Sequence, residues 1–518
     1  MTTVNDAILC NNFGGINRIN SSFSSSVITA SDIQNVELFN TGINSGVGIR
    51  TMKGNTSIYE FQDEDEVIIN IFESVQKSQK YCFIHTENET EGRIYLYNPL
   101  SNTTTLKVSG LTKTGISCGV DFAQGWSDLF LFSSGEEMLS IELDHYNNND
   151  ELDEVTSFSP TDSEARDVKG LGMVVFDGRL WVFNGVVLWY SVKENCYDFS
   201  TSSAGLTTSA GYIEFVKKIT TIYPYLGALA IFHKDSSCLI SVNSDYTYSM
   251  SDESPGGCAG INSIVFSGTQ LYFYDNMKKA IFSFSQIING DKTLSDNLAK
   301  DVQEELFRIE SSKLNDIKML SVISTDKNEI WMLLPSSDDN YSDILIFDII
   351  HSQWLKRKSQ KLTTVSLINE VLYSASGNKL LSEYSGNDFD GEFIQAYYTC
   401  SPLNLSADNT MKILYIPPRI TIDMESTNDF MVQYSKNYDS QKKIRTKHIT
   451  SKNLKNLFYW DISLWDINTI FKPREANSIK RLPTASFKTL EIKFYTTERN
   501  QGFAVKNVEF SRIKVKQA

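Results

Sequence analysis

Seven short stretches rich in β-branched and aromatic residues recur along the chain, and their recurrence constrains the fold more than any other feature. They are Arg93–Asn98, Asp128–Ser133, Arg179–Asn184, Ala228–His233, Gln270–Asp275, Glu329–Leu334 and Glu370–Ser374. Their first residues lie 35, 51, 49, 42, 59 and 41 positions apart. A loose period in the forties is the length of one four-stranded propeller blade. Several stretches turn straight into a second strand: Tyr274-Asp275-Asn276 leads to Ala280–Phe284, and residues 335–339 lead to Ile344–Asp348. The pattern predicts an all-β chain whose body is a β-propeller-like meander of about six to seven irregular blades. A pair of β-sandwiches or an irregular all-β domain is the alternative.

One stretch departs from the pattern. Between Ser295 and Lys313, the apolar residues Leu298, Val302, Leu306 and Ile309 share one helical face. Ser295 or Asp296 suits an N-cap, and acids fill the early turns. A single amphipathic helix inserted near 295–313 accounts for the longest spacing.

The ends read differently from the body. Residues 1–70 contain a polar Ser21–Ser26 stretch, a strand beginning near Asp32 and a Gly-rich turn at Gly46–Gly48, which suggests an arm and lead-in strands. The propeller-like body is expected over 71–395. Strand patterns at Ile413–Ile416, Ile420–Ile422, Phe430–Tyr434, Leu490–Phe494 and Phe503–Val508 predict a C-terminal β-sandwich over 396–518.

Charge divides the chain in the same place. The net charge is −15, but residues 411–518 carry 20 Lys and Arg against 10 Asp and Glu, so an acidic body precedes a basic module. Such asymmetry suits a module that docks on an acidic neighbour, although two domains with different surfaces produce it equally well. An acidic body is a poor grip for nucleic-acid phosphates, whose affinity comes from Lys and Arg. No apolar run approaches the roughly 20 residues that span a bilayer, and the first 15 residues have no basic and apolar leader pattern. A soluble protein made in a cytoplasm, with no membrane partner, is expected.

The search for chemistry is largely negative. Seven scattered cysteines form no CxxC, so reduced core thiols are expected. There is no phosphate-binding loop and no HExxH. GxSxG occurs once, at Gly115–Gly119, but a strand follows it where a nucleophile elbow needs a helix. The acidic runs Asp63-Glu64-Asp65-Glu66 and Asn147–Glu154 lack calcium-loop spacing and read as solvated loops, and Asp388–Glu392 reads as a turn. No cofactor, metal or catalytic residue is assigned, and the chain is expected not to be an enzyme. Carboxylates are nevertheless numerous enough to supply the pair a glycosidase needs.

Four segments, in order, resemble one family: the tail hub or nozzle-type structural proteins, also called packaged-DNA stabilisation proteins, of short-tailed bacteriophages. The first is Asn12-Phe13-Gly14-Gly15-Ile16-Asn17 with Asp32–Glu37 and Gly48-Ile49-Arg50. The second is Val187–Phe199 with Ala210-Gly211-Tyr212 and Ile219–Phe232. The third runs from Leu294 to Lys358 and includes Trp331–Pro335 and Leu345–Trp354. The fourth is Thr399–Ile420, leading to the turn at Tyr434–Asn437. The resemblance covers nearly the whole chain. It departs where Thr51-Met52-Lys53-Gly54 stands in place of the family's Pro-containing turn.

The resemblance implies a virion tail component: copies of the chain in a ring around a DNA conduit, meeting a portal-side adaptor above and other tail proteins below. Double-stranded DNA would pass without sequence-specific contacts. Acids lining the lumen would keep phosphates from sticking, with Asp63, Glu64, Asp65, Glu66, Asp150, Glu151, Asp153 and Glu154 as candidates. The alternative is a carbohydrate-binding or carbohydrate-cleaving propeller, such as a receptor-binding tail protein. A peptide-binding scaffold propeller is a third reading.

Overall fold

The computed structural model describes the 518-residue chain except residues 1, 4–7, 11, 18–26, 42–45, 147–150, 201–208, 244–246, 289–290, 325–326, 336–339, 404–411, 415–418, 425–429, 437–444, 450–475, 482–488, 499–501, 512–513 and 518. The Ser21–Ser26 stretch and Asp150 therefore lie outside the described residues. The chain is all-β and contains seven propeller blades, each an antiparallel sheet built around four strands. Blade 1 runs through Val67–Gln76, Gln79–Glu87, Gly92–Asn98 and Thr103–Leu111. The first strands of blades 2 to 7 are Cys118–Gln124, Gly172–Phe176, Ile219–Tyr225, Ile264–Ser267, Lys318–Ile323 and Thr364–Ile368. Blade 7 takes its fourth strand, Asn55–Glu60, from the other end of the chain. That exchange closes the ring and covers an edge that would otherwise stay unpaired.

Turn chemistry fixes the hairpins. Asp177 and Gly178 join the first two strands of blade 3 with φ of 52° and 68°. A two-residue turn of this kind matches the twist of the strands but needs positive φ at both positions, which Asp tolerates and Gly adopts freely. Between the blades the cores are aromatic. Phe83 of blade 1 stacks on Phe130 of blade 2 with ring centroids 4.5 Å apart. Phe273 and Phe284 of blade 5 meet Phe232 of blade 4 at 4.9 and 5.5 Å. Tyr373, Ala375 and Leu380 of blade 7 share a core with Ile68, Cys82 and Ile84 of blade 1, so apolar packing also closes the ring.

Six of the seven recurrent stretches are the second strand of a blade, which is why they recur. The first, Arg93–Asn98, falls on a third strand, Gly92–Asn98. Its shorter spacing to the next stretch follows. The equivalent strand of blade 1, Gln79–Glu87, carries Gln, Lys, His, Thr and Glu among its apolar residues.

The insertion after blade 5 holds less helix than its periodicity predicts. Lys300–Val302 is a single 3-10 turn, Gln303–Phe307 a five-residue α-helix, and Ser311–Asp316 a second 3-10 segment. Ser295 does not cap a helix, because its N–H extends the β-ladder to the Ser283 carbonyl at 2.9 Å. Asn297 Oδ1 instead accepts the Ala299 N–H at 2.9 Å, which delays the start. The expected apolar face survives: Val302, Leu306 and Ile309 are all buried.

The chain divides into two compact units, with other boundaries than the sequence suggests. One comprises Ser57–Ile344 and Gln360–Glu383, and the other Met1–Thr56, Leu345–Ser359 and Tyr384–Ala518. The N-terminal strands are thus not a separate lead-in. Val27–Gln34 pairs with Tyr397–Cys400, and Val47–Thr51 with Ala504–Ser511, so both chain ends build one 12-stranded sheet. Val67–Gln76, expected to straddle a boundary at residue 70, is the first strand of blade 1. Phe494 lies in the strand Leu490–Tyr495, and Phe503 immediately precedes the strand Ala504–Ser511, about five positions away in the sheet order, roughly 24 Å in a flat sheet. Their ring centroids are 6.4 Å apart, so the sheet folds back on itself and packs its own faces together.

Candidate functional site

In the propeller unit, each link between blades ends at the start of a first strand, so these links gather at one end of the ring. Two cavities open there. One, about 260 Å³, is bordered by links into blades 2 to 5 and by Ser311, Ser312, Leu314 and Asn315. The other, about 310 Å³, is bordered by Ile69 of blade 1, Gly115, the start of blade 6 and the link into blade 7. Asn315 lines both, so the second 3-10 segment lies between them at the mouth of the axis. The charged side chains lining the two cavities are Lys218, Lys313, Lys318 and Lys361 against Asp316 alone.

Lys318 is the most perturbed of these. It opens the first strand of blade 6, and its Nζ donates to the Ile69 carbonyl at 2.7 Å. Although the residue keeps some accessible surface, protein atoms enclose the ammonium. The loss of hydration drives its pKa down to about 7, partly opposed by the Asp316 carboxylate.

Behind this mouth, the GxSxG segment takes part in a Ser–His–Glu row. Ser117 Oγ lies 3.0 Å from His85 Nδ1, and His85 Nε2 lies 4.0 Å from Glu87 Oε1. These residues do not form an activated nucleophile. Ser117 and His85 are buried at 2% and 0% exposure, and burial pushes the His85 pKa down to about 4, too low for a general base. Glu87 is occupied in accepting the Thr114 and Gly115 N–H groups, both at 2.9 Å. Asn70 completes the frame, with Nδ2 donating to the Ser117 carbonyl at 3.1 Å and Oδ1 accepting from Thr364 at 3.2 Å. It thereby pins blades 2 and 7 to blade 1.

The predicted lumen acids do not form one surface. Asp63, Glu64 and Asp65 are exposed on the link into blade 1. Glu66 is a correction: it is buried at 1%, accepts from Thr86 Oγ1 and pairs with Arg93 at 2.9 Å. A carboxylate with those partners holds blade 1 together and faces no channel. Glu151 lies in the strand Glu151–Phe158. Asp153, on the same strand, is engaged by Lys107. Glu154 stands directly opposite Glu142 on the neighbouring strand, and both line a cleft of about 200 Å³ beside Tyr197. Sequence reasoning missed Glu142 and Lys318, since nothing local marks either.

The second unit brings distant motif segments together. The Gly15 N–H donates to Gln353 Oε1 at 3.0 Å, and a Cβ on Gly15 would lie 2.3 Å from the Trp354 carbonyl oxygen. Tyr398, fully buried, shares its one O–H proton between the Gly14 and Ile28 carbonyls, at 2.8 and 2.7 Å. Within the third segment, Asp348 Oδ1 accepts the His351 N–H at 3.0 Å, and Phe347 packs on Trp354 at 5.0 Å. The first and third segments therefore meet, and the first meets the fourth where Asp32 pairs with Thr399.

No family model matches the chain, and no curated protein matches it. Its body is similar to solved propellers. A virginiamycin B lyase from Staphylococcus aureus is 11% identical, over 63% of this chain and 98% of that one, with a TM-score of 0.40. A streptogramin B lyase is 13% identical over 67% and 96%, with a TM-score of 0.37. Hsv2 of Kluyveromyces lactis is 10% identical over 60% and 98%, with a TM-score of 0.29. The expectation that the chain is not an enzyme is corrected here, since lyases stand among these matches. At such identities the likeness carries no substrate or mechanism to this chain.

Proposed function

We propose that the chain is a structural component of a bacteriophage tail, forming part of a multi-subunit ring or nozzle around the DNA conduit. In that place it helps retain packaged DNA and passes it during ejection. The observation that carries this reading is the meeting of the motif segments. Gly15 of the first segment meets Gln353 of the third across 338 positions, and Asp32 of the first pairs with Thr399 of the fourth. Motifs matched by chance have no reason to converge. The charge division is compatible with it, with an acidic body toward passing DNA and a basic module toward neighbouring tail proteins. The conduit belongs to the assembled ring and not to the propeller's own axis, whose mouth carries four lysines to one aspartate.

Immunogold labelling of particles released from the producing host tests the proposal. Label at the tail vertex is expected, and particles that carry none of this chain would overturn it. The carbohydrate reading has one observation in its favour, the facing carboxylates Glu142 and Glu154 in the blade 2 cleft. Cleavage of host surface polysaccharide by the purified chain, lost in both Glu142→Gln and Glu154→Gln, would establish that reading instead.

A further inference from the structure

We propose that the cleft of about 200 Å³ between blades 2 and 3 binds a single neutral sugar ring, with the indole of Trp126 as the platform on which that ring stacks. Trp126 is fully exposed, in the two-residue turn between the first two strands of blade 2, where Gln124 pairs with Ser127. Gln124 and Ser127 both line the cleft, so the indole stands at its border. The turn itself does not ask for an aromatic residue. Gly125 supplies the positive φ, 63°, and the position of Trp126 is held by Ser78, Gly178, Gly227, Thr269 and Glu370 in the two-residue turns of blades 1, 3, 4, 5 and 7. A single exposed apolar residue is ordinary on a protein surface. An indole at the border of a polar cleft is one half of a sugar site.

The lining supplies the other half. A pyranose has a flat C–H face, which suits an apolar plate, and a rim of hydroxyls, which need acceptors and donors. Glu142 and Glu154 stand opposite each other on neighbouring strands, and Ser140 and Thr156 do so two residues along, so all four lie on one face of the blade. A carboxylate offers about four acceptor sites, so the Thr156 hydroxyl that reaches Glu154 Oε1 at 3.4 Å leaves room for sugar hydroxyls. Gln124 Oε1 accepts the Cys196 N–H at 3.1 Å, which leaves its two amide N–H donors for a ligand. Ser140 Oγ and Tyr197 OH lie 2.6 Å apart and tie blade 2 to a link of blade 3 at the cleft. No cationic side chain is among the described lining residues, so charge disfavours a uronic or sialic acid. An alkylammonium would satisfy the carboxylates and the indole but would leave the amide and hydroxyl groups without a use. A volume of about 200 Å³ lies below the range for drug-sized ligands, which limits the occupant to one ring.

The site goes beyond the tail reading and does not rest on it, and binding alone is assigned. Saturation-transfer NMR on the full chain is the test, with the methyl glycosides of glucose, galactose, mannose and N-acetylglucosamine as probes and glucuronic acid and choline as charged controls. Saturable binding of at least one methyl glycoside is expected, with transfer strongest to the ring C–H protons, and none of either control. Trp126→Ala, in an exposed turn, should fold normally by circular dichroism and lose about tenfold or more in affinity, whereas Trp126→Phe keeps most of it. Glu142→Gln keeps the shape but exchanges an acceptor for a donor, and should also weaken binding about tenfold. Absence of saturable binding by every one of the glycosides would overturn the proposal, as would affinity unchanged in Trp126→Ala. Choline bound more tightly than any glycoside would overturn the sugar assignment. None of these outcomes bears on whether the chain occurs in particles.

Discussion

Asn35 and Lys358 exchange a pair of hydrogen bonds across 323 positions of sequence: the Lys358 N–H donates to Asn35 Oδ1 at 2.8 Å, and Asn35 Nδ2 donates to the Lys358 carbonyl at 3.0 Å. The side-chain amide thus acts as a length of strand. The same residue donates its N–H to the Lys356 carbonyl, donates Nδ2 also to the Gln395 carbonyl, and accepts from the Met52 N–H. It is 1% exposed and sits at φ 55°, a left-handed conformation that Asn tolerates better than most residues.

Removing that amide breaks its bonds to the Lys358 N–H, the Lys358 carbonyl and the Gln395 carbonyl. Asn35→Ala should cost about 3 kcal/mol, combining unsatisfied groups with left-handed strain. Asn35→Gly loses the amide but not the conformation, and should cost about 1 kcal/mol less. Chemical denaturation of the three proteins checks the order. Equal loss in both variants would show that the backbone conformation contributes nothing.

Gly15 and Gly14 offer a paired contrast. A Cβ on Gly15 would lie 2.3 Å from the backbone oxygen of Trp354, which cannot swing away as a side chain would. A Cβ on Gly14 would meet Val27 Cγ1 at 3.3 Å, Thr29 Cγ2 at 3.4 Å and Gln353 Oε1 at 3.5 Å, all side-chain atoms. Gly15→Ala should therefore cost about 2–3 kcal/mol, the range of an overpacked core, while Gly14→Ala stays within about 1 kcal/mol. Thermal unfolding of both variants decides it.

The sequence shows blades where a strand is buried on both faces. Ala228–His233 is buried at every position, and so reads as a continuous apolar run between turns. It does not show which strands are exchanged. Nothing local in Asn55–Glu60 reveals that it pairs with Lys379–Glu383 to close blade 7. The pairing of N-terminal with C-terminal strands is equally hidden, because a strand's own pattern shows which face it buries but not its neighbour. Lys318 begins a strand and reads as a solvated charge, since only the fold of blades 1 and 6 encloses its ammonium.

Lys318 also makes stability depend on pH. Its folded pKa, about 7, lies below the ordinary 10.5, so the unfolded chain binds more protons between those values. Stability from this group should rise as pH increases from about 7 toward 10 and be penalised fully below 7. The groups around the ammonium are Asp316, Lys313, Lys361, the Ile69 carbonyl and, further back, His85. Urea midpoints at pH 6.5 and 9 in the wild type and Lys318→Met isolate the contribution. The difference between the two proteins should shrink at the higher pH, and a constant difference would contradict an enclosed ammonium.

His85 acts with the same sign at lower pH. Burial first, and the nearby Lys318 charge second, hold its pKa at about 4, below the ordinary 6.5, so the folded chain keeps the ring neutral while the unfolded chain protonates. Stability from this site is complete above about 6.5 and is lost as pH falls toward 4. His85→Gln should flatten that limb, at the cost of some packing against Phe132, whose ring lies 5.1 Å away. If the Ser117–His85 contact is a frame for the blade 2 link, a fluorophosphonate probe at pH 7.5 should leave Ser117 unmodified in the folded chain. Ser117→Ala should then lower the unfolding free energy by about 1 kcal/mol, the value of one buried hydrogen bond. Stoichiometric labelling of Ser117 would show instead that the row opens to solvent and that its serine reacts.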